Sequence, residues 1–309
     1  MKKNLPNFPL GNAFFLPKGR MSIETEFASK NIVGFRDQNG QIQRYENANF
    51  KYNVASLRYT NGFSKYINMY FVLPVVWQYL NKEYFDDSIQ TIGLGDVYTG
   101  VRFRTYHEKG RNIFLSLELK SPSGIEWPSG LSGYPNDITG FLTGTGTTNL
   151  GISSQIEFDL NPQKYNMAFD IGYVYKFRSV VGYVIEEEGF GNGRLQPGSE
   201  IYLNWLHRIG INKHFQSDVW STYSYRGTYF YGTSGDGIAW NNKNELMSPT
   251  QYADIGYSII YAPSLSQNLS VSIQHQIWGS DTQLFSILGL EEFSPQPGTT
   301  FSFGYEVLW

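Results

Sequence analysis

The side chains with the clearest capacity for chemistry are charged residues that recur at every second position of alternating segments. Arg102 and Arg104 form one such pair, and Glu118 and Lys120 form another a little further along the chain. Side chains on a β-strand alternate between two faces, so the members of each pair share one face. We expect the two arginines to lie opposite Glu118 and Lys120 across one short turn, because opposite charges on neighbouring strands stabilise a sheet.

Further charged residues follow the same alternation and predict a polar interior. The candidate lumen or channel residues are Arg58, Asp96, Arg102, Arg104, Glu118, Lys120, Glu157 and Asp159. Because both signs of charge are mixed, one interpretation is that these groups neutralise one another and fill the interior. The other interpretation is a narrow polar passage in which arginines orient the carboxylate or ring of a solute.

Catalytic and metal-binding groups do not fall into recognisable arrangements in the sequence. The chain has four histidines and no cysteine, and none of the histidines adjoins an obvious serine nucleophile. Carboxylate and histidine clusters with metal-ligand spacing are not found in the sequence either. We therefore predict no catalytic residues, no metal, no cofactor and no enzymatic activity. A net charge of −3 also gives no electrostatic reason to expect nucleic-acid binding.

The elements that must position these charges are strands rather than helices. Alternating segments of about the length that a tilted strand needs to span a lipid bilayer recur along the chain. They cover approximately residues 20–29, 51–62, 66–78, 94–106, 112–120, 148–160, 165–177, 198–210, 215–228, 249–262, 268–279 and 298–309. On these segments apolar and charged residues take opposite faces, so lipid on one side fixes the register.

The gaps between the segments alternate between short and long. The long gaps are 30–50, 79–93, 121–147, 178–197, 229–248 and 280–297. Outer-membrane barrels have short periplasmic turns and long extracellular loops. The sequence therefore predicts an all-β protein with one antiparallel transmembrane β-barrel of about 12 strands in the bacterial outer membrane, with both termini periplasmic. Residues 20–309 would form the barrel, and residues 1–19 a periplasmic or lumen-plugging segment that carries Phe14 and Phe15.

Composition and the end of the chain favour the same class of protein. Aromatic residues make up 17% and charged residues 17% of the sequence, and mean hydropathy is −0.34. Alternate residues near the C-terminus form one apolar face, which consists of Phe301, Phe303, Tyr305, Val307 and Trp309. We predict that this face contacts membrane lipid and lipopolysaccharide, and that it serves as an assembly signal for the barrel-assembly machinery.

Four short motifs follow one another along the chain. They are Leu16-Pro17-Lys18-Gly19, Gly93-Leu94-Gly95-Asp96, Lys120-Ser121-Pro122-Ser123-Gly124, and the run from Thr143 to Gly151. In this order the chain resembles the outer-membrane family labelled as phenol-degradation (meta-pathway) proteins, which lies near the channels for long-chain fatty acids and aromatic hydrocarbons. The resemblance implies a barrel and passage of hydrophobic or aromatic compounds.

A hydrophobic solute also needs an apolar binding site, which a charged bore does not offer. The candidate pocket residues in the long loops are Phe141, Leu142, Tyr229, Phe230, Tyr231 and Trp240. Pro74 lies within a predicted strand, where it removes a backbone hydrogen bond and leaves either a local gap or a bulge. We expect a channel for small hydrophobic or aromatic molecules. The alternatives are a plugged barrel that acts as a structural, adhesive or assembly-partner protein, and a narrow channel for polar solutes such as nucleosides.

Overall fold

The structure is a computed structural model. It describes residues 15–37, 39–44, 48–82, 89–108, 110–124, 147–161, 164–186, 189–212, 214–233, 241–247, 249–264, 266–280 and 297–309. In the described part of the chain no helix is both long and apolar enough to cross a membrane.

The described residues fold into strands, which we number in chain order. They are β1 (Met21–Ile32), β2 (Gly34–Arg36), β3 (Ile42–Arg44), β4 (Ala48–Gly62), β5 (Ile67–Lys82), β6 (Ile89–Leu94), β7 (Val97–Glu108), β8 (Arg111–Ser121), β9 (Asn149–Asn161), β10 (Tyr165–Lys176), β11 (Ser179–Glu186), β12 (Gly189–Gln196), β13 (Glu200–Gly210), β14 (Phe215–Arg226), β15 (Tyr229–Thr233), β16 (Asn241–Met247), β17 (Thr250–Ser264), β18 (Gln267–Ser280) and β19 (Gly298–Leu308).

Twelve of these strands form one closed antiparallel barrel. Around the wall they run β1, β4, β5, β7, β8, β9, β10, β13, β14, β17, β18 and β19, and β19 pairs with β1 to close the ring. Each predicted segment overlaps one of these strands, so the predicted fold class and strand number are confirmed. The barrel begins and ends at the end that carries the short turns, where Met21 and Trp309 exchange backbone hydrogen bonds of 3.3 and 2.9 Å.

Side chains alternate across the wall as the sequence predicts. On β10, Phe169, Ile171 and Tyr173 point outward and are 41%, 55% and 41% exposed, whereas Ala168 and Asp170 on the other face are buried. A charge on the outer face at the middle of a bilayer costs ~2–4 kcal/mol for Arg or Lys, which holds the charged positions on the inside. A shift of one residue would reverse every side chain, so the register is strongly determined.

The remaining strands are not among the twelve that close the barrel, and they were not predicted from the sequence. β2 and β3 form a short hairpin, and β11, β12, β15 and β16 form a four-stranded sheet from two of the long connections. β6 extends the barrel sheet beside the upper part of β5. These strands escape prediction because nearly all of their residues lie in the long gaps that the sequence predicts to be loops.

Inward-facing glycines accept aromatic rings from the neighbouring strand at three places in the wall. A Cβ atom added at Gly256 would overlap the ring of Trp220. In the same way, a Cβ atom at Gly100 would overlap the ring of Tyr70, and one at Gly172 the ring of Tyr202. Cross-strand contacts of this kind pin the register of paired strands.

Replacing Gly256 with alanine should therefore destabilise the barrel. The added methyl group overlaps the Trp220 ring, and overpacking of this kind costs about 1–3 kcal/mol. The free energy of unfolding, measured by denaturant titration of the protein in lipid vesicles, should fall by that amount. Gly151→Ala is the matched control, because its Cβ would lie an ordinary 3.6 Å from Glu118 Cβ. Equal losses in the two variants would contradict the close fit.

Candidate functional site

The structure places the predicted lumen residues on the inside of the barrel or in its wall. Seven of them occupy inward register positions on β4, β7, β8 and β9, and these are Arg58, Arg102, Arg104, Glu118, Lys120, Glu157 and Asp159. Asp96 lies between β6 and β7 and is only 3% exposed. Their position agrees with the prediction, whereas their role in passage of a solute stays a prediction.

The predicted pairing of the two arginines with Glu118 and Lys120 is wrong. In the observed register Arg102 lies opposite Ser116 and Arg104 lies opposite Phe114. The short turn after β7 fixes this register, because residues close to the turn must face residues that are equally close to it. Arg102 instead reaches past β8 and donates a hydrogen bond to Gln155 on β9.

Glu118 and Lys120 have other partners than the arginines. Glu118 lies opposite Gly100, and its carboxylate accepts a hydrogen bond of 2.7 Å from the Tyr70 hydroxyl. Lys120 lies opposite Tyr98, and its ammonium group donates to Asp96 at 2.8 Å. Both predicted residues therefore hold neighbouring parts of the wall together across the barrel interior.

Ion pairs that the sequence did not single out fill other parts of the lumen. Arg208 and Asp218, on neighbouring strands, form a bidentate pair with distances of 3.1 and 2.9 Å, and both side chains are buried. Glu200 accepts from Arg226 at 2.8 Å and from the Tyr252 hydroxyl at 3.2 Å. The period-2 pattern marks such residues as inward, but it does not reveal which of them meet.

The segment before the first strand also contributes to the interior. The Phe15 ring stacks on the inward-facing Phe114 with a centroid distance of 5.4 Å, and the Arg104 guanidinium lies 4.0 Å from the centre of the Phe15 ring. Leu16 is 1% exposed. Two residues of the predicted N-terminal segment thus pack inside the barrel near its short-turn end. Residues 1–14 lie outside the described residues.

The pairing along the edge of β5 is irregular beside Pro74. Below this point β5 pairs with β7 as far as Val72, and above it β5 pairs with β6 from Val75 onward. Gly95 and Asp96 connect β6 to β7, and the Gly95 amide donates to the Pro74 carbonyl at 2.9 Å. Proline has no backbone N–H and cannot continue the regular hydrogen-bonding pattern. The register of the pairing shifts by one residue here, and we call this irregular site the strand break.

A buried ion pair connects the β6–β7 junction at the strand break to β8. Asp96 and Lys120 are 2.8 Å apart, and each side chain is 2% exposed. The second Asp96 carboxylate oxygen accepts the Gly124 amide at 3.1 Å, and the Ser123 hydroxyl accepts the Val97 amide at 2.8 Å. Two motifs that are separate in the sequence, residues 93–96 and 120–124, therefore form one structural unit, which we call the latch.

The interior next to the strand break is apolar. Ala28, Val54 and Val76 lie side by side on β1, β4 and β5, and this row ends at Gly93 on β6. Val72 and Pro74 point inward from β5 just below the row. We refer to Ala28, Val54, Val72, Pro74 and Val76 as the apolar patch. Sequence reasoning missed it, because inward positions were recognised by their charged side chains.

Only part of the predicted loop pocket can be located. Phe141, Leu142 and Trp240 lie outside the described residues. Tyr229, Phe230 and Tyr231 belong to β15 rather than to an irregular loop, and Phe230 lies opposite Gln196 of β12. Whether these residues form a binding pocket stays a prediction.

The C-terminal aromatic face lies on the outside of the barrel. Phe301, Phe303, Tyr305 and Trp309 are exposed on the outside of the barrel, whereas Val307 is intermediate. The assembly role of this face stays a prediction. Within the described ranges, no group of three or more histidine, aspartate or glutamate side chains could hold a metal ion.

Comparison with known proteins gives a match in structure but not in sequence. No protein-family model and no curated protein matches the chain. The structure is similar to the COG4313 outer membrane channel from Pseudomonas putida F1, with a TM-score of 0.73 and 11% sequence identity over 98% of this chain and 100% of that chain. This likeness confirms that the fold is that of an outer-membrane β-barrel, which agrees with the predicted location.

Weaker similarities connect the chain to other membrane barrels. The Pseudomonas putida toluene transporter TodX gives a TM-score of 0.46 and 11% identity over 95% of this chain and 89% of that chain. The NanC porin gives a TM-score of 0.44 and 10% identity over 93% and 98% of the two chains. At these values the similarity concerns the barrel architecture alone.

Removing one member of the buried Arg208–Asp218 pair should destabilise the protein strongly. Asp218→Ala leaves the Arg208 guanidinium buried without its bidentate partner, and such a loss costs about 3–5 kcal/mol. The free energy of unfolding in lipid vesicles should decrease by this amount. The double variant Arg208→Met/Asp218→Leu should recover most of the loss, since an apolar pair of similar volume needs no compensating charge. A double variant as unstable as Asp218→Ala would contradict this account.

Proposed function

We propose that the protein is an outer-membrane channel for small hydrophobic or aromatic molecules, and that these molecules leave the barrel sideways through the strand break. The observation that carries this proposal is the position of the apolar patch. Its central row ends at Gly93 on β6, close to the strand break. An apolar solute held there has lipid on the other side of the wall.

The axial route through the barrel suits such a solute poorly. Arg102, Glu157 and the Arg208–Asp218 pair line the interior below the apolar patch, together with the stacked rings of Phe15 and Phe114. A hydrophobic molecule moving along the axis would have to separate these charges. Leaving a buried charge without its partner costs several kcal/mol of free energy. The interior therefore favours a sideways path over an axial one for apolar cargo.

The exit requires a movable part of the wall, and β6 has the properties of one. It is a short strand of 6 residues that pairs with β5, and in the described part of the chain it has no strand on its other edge. Ile92 and Leu94 on β6 point outward and are 67% and 38% exposed. We propose that β6 separates from β5 to open the passage, while the latch keeps the start of β7 in place.

The resemblance to phenol-degradation proteins agrees with an aromatic or hydrophobic solute. The structure similar over the whole chain is itself named an outer membrane channel. We further propose that the short-turn end and both termini lie in the periplasm, that Phe230 and its neighbours offer a first binding surface at the outer end, and that lipopolysaccharide surrounds that end.

The alternative functions predict different behaviour. A plugged structural or adhesive barrel would pass neither ions nor hydrophobic molecules. A narrow polar channel would pass nucleosides or sugars along its axis and would not depend on the strand break. The proposals can therefore be separated by measuring the uptake of hydrophobic and polar solutes in the same variants.

Locking β6 onto β5 should block uptake of hydrophobic molecules. Val75 and Leu94 are opposed residues in the β5–β6 pair. Opposed residues of antiparallel strands have Cα atoms about 4.5–5.5 Å apart, which permits a disulfide. In a Val75→Cys/Leu94→Cys variant, uptake of a radiolabelled aromatic hydrocarbon by cells should be lost under oxidation and restored by a reductant. The natural chain has no cysteine that could interfere.

A second pair of cysteines provides the control. Phe71 and Thr99 are opposed below the strand break, on β5 and β7. A disulfide between cysteines at these positions should leave uptake unchanged. If the Val75–Leu94 disulfide has no effect, or if both disulfides block uptake equally, the sideways exit by movement of β6 is disproved.

The contacts of Phe15 should limit ion flow along the axis. Phe15→Ala removes the ring that stacks on Phe114 and lies over Arg104. Single-channel conductance in planar bilayers should increase in this variant, whereas uptake of the aromatic hydrocarbon should stay close to that of the natural protein. A parallel rise in nucleoside uptake in liposome-swelling assays would favour the polar-channel alternative instead.

A further inference from the structure

The outer wall carries a groove that no part of the proposed transport route explains. It has a volume of about 540 Å³ and lies where β5, β7 and β8 run side by side. Pockets for small molecules commonly have volumes of ~300–1,000 Å³. Its lining includes the outward side chains of Met69, Phe71, Thr99, Val101, Leu117 and Leu119.

The groove follows from the sizes of neighbouring side chains. Thr99 lies between Phe71 on β5 and Leu119 on β8 in the strand register. The large residues of β5 and β8 therefore stand above a low floor on β7.

All of these side chains belong to the outer face of the barrel. Met69, Phe71, Leu117 and Leu119 are 48%, 39%, 41% and 44% exposed. The groove is thus continuous with the apolar surface that contacts the membrane. An unfilled groove would deprive its walls of dispersion contacts, and the flexible chains of lipids are the apolar groups available at this surface.

One end of the groove is polar. Asn61 and Tyr59 line it near the short-turn end of the barrel, and the Asn61 amide donates to the Tyr59 hydroxyl at 3.1 Å. The turn below them carries Lys65, whose ammonium group lies 4.6 Å from the centre of the Tyr66 ring. Aromatic and basic side chains at this level are typical of the region where lipid headgroups lie.

We propose that this groove binds one phospholipid as a resident lipid. One acyl chain lies over Thr99 between the walls formed by β5 and β8, and the phosphate lies at the polar end near Asn61 and Lys65. The polar end of the groove assigns the lipid to the leaflet on the short-turn side. This inference depends on the lipid-facing orientation of the wall and does not depend on the transport proposal.

Filling the groove should expel the lipid. Thr99→Trp places a large ring on its floor, while Ser221→Trp places the same ring on the outer face of β14, between Trp205 and Ile255. The proteins would be transferred from nanodiscs of phosphatidylethanolamine and phosphatidylglycerol into native mass spectrometry. The natural protein and Ser221→Trp should each retain one phospholipid, and Thr99→Trp should retain roughly tenfold less, which corresponds to ~1.4 kcal/mol of binding free energy. Equal retention by all three proteins, or no retained phospholipid in the natural protein, would overturn the proposal.

A measurement on the unaltered protein covers the case in which Thr99→Trp fails to fold. A phospholipid with a photoreactive group in its acyl chain would be incorporated into the same nanodiscs. After irradiation, adducts on Phe71, Val101 and Leu117 should exceed those on the outward residues Val219 and Ile255 by roughly tenfold. An even distribution around the barrel would mean that the groove holds no lipid more firmly than the rest of the wall.

Discussion

The structure depends on the requirement that backbone N–H and C=O groups find partners within the protein when they lie in lipid. A closed ring of strands meets this requirement, and the pairing of β19 with β1 completes it. The same requirement makes any irregularity in the wall costly. At the strand break the Pro74 carbonyl is paired with the Gly95 amide, and Pro74 has no N–H that needs a partner. The wall can therefore be interrupted there at a lower cost than at an ordinary pair of residues.

Most of the barrel could be predicted because lipid imposes a period of two on each strand. Outward residues such as Ile171 and inward residues such as Asp170 are distinguishable by type alone, and alternate short and long gaps then give the strand number. β6 and the sheet of β11, β12, β15 and β16 could not be predicted in this way. Their strands are 8 residues or shorter, and they pair with partners that the alternation of gaps does not indicate.

The contents of the lumen were only partly predictable, for a related reason. Alternation places Arg102 on the inside, but its partner depends on the register set by the turn between β7 and β8 and on the width of the barrel. The residue that it meets, Gln155, lies on β9 and is 53 positions away in the sequence. The latch shows the same limit, since Asp96 and Lys120 were both recognised as inward candidates while their contact was not. The apolar patch could not be predicted, because a valine at an inward position only departs from the alternation of apolar outward and polar inward residues.

The role proposed for the valines of the apolar patch depends on the charges around them. In a lumen filled by ion pairs such as Arg208–Asp218, an apolar molecule finds no favourable surface and disrupts the charges that it separates. When the same molecule packs against Val54, Val72 and Val76, its apolar surface stays buried. Each Å² of apolar surface removed from water contributes about 25 cal/mol of favourable free energy. On the proposed route, a solute that moves from that patch into lipid exchanges one apolar environment for another, so the remaining barrier would be the separation of β6 from β5. Few backbone hydrogen bonds join a strand of 6 residues to one neighbour. On the proposed route, the charged interior would keep apolar solutes away from the axis, and β6, which has one neighbouring strand among the described residues, would let them leave through the wall.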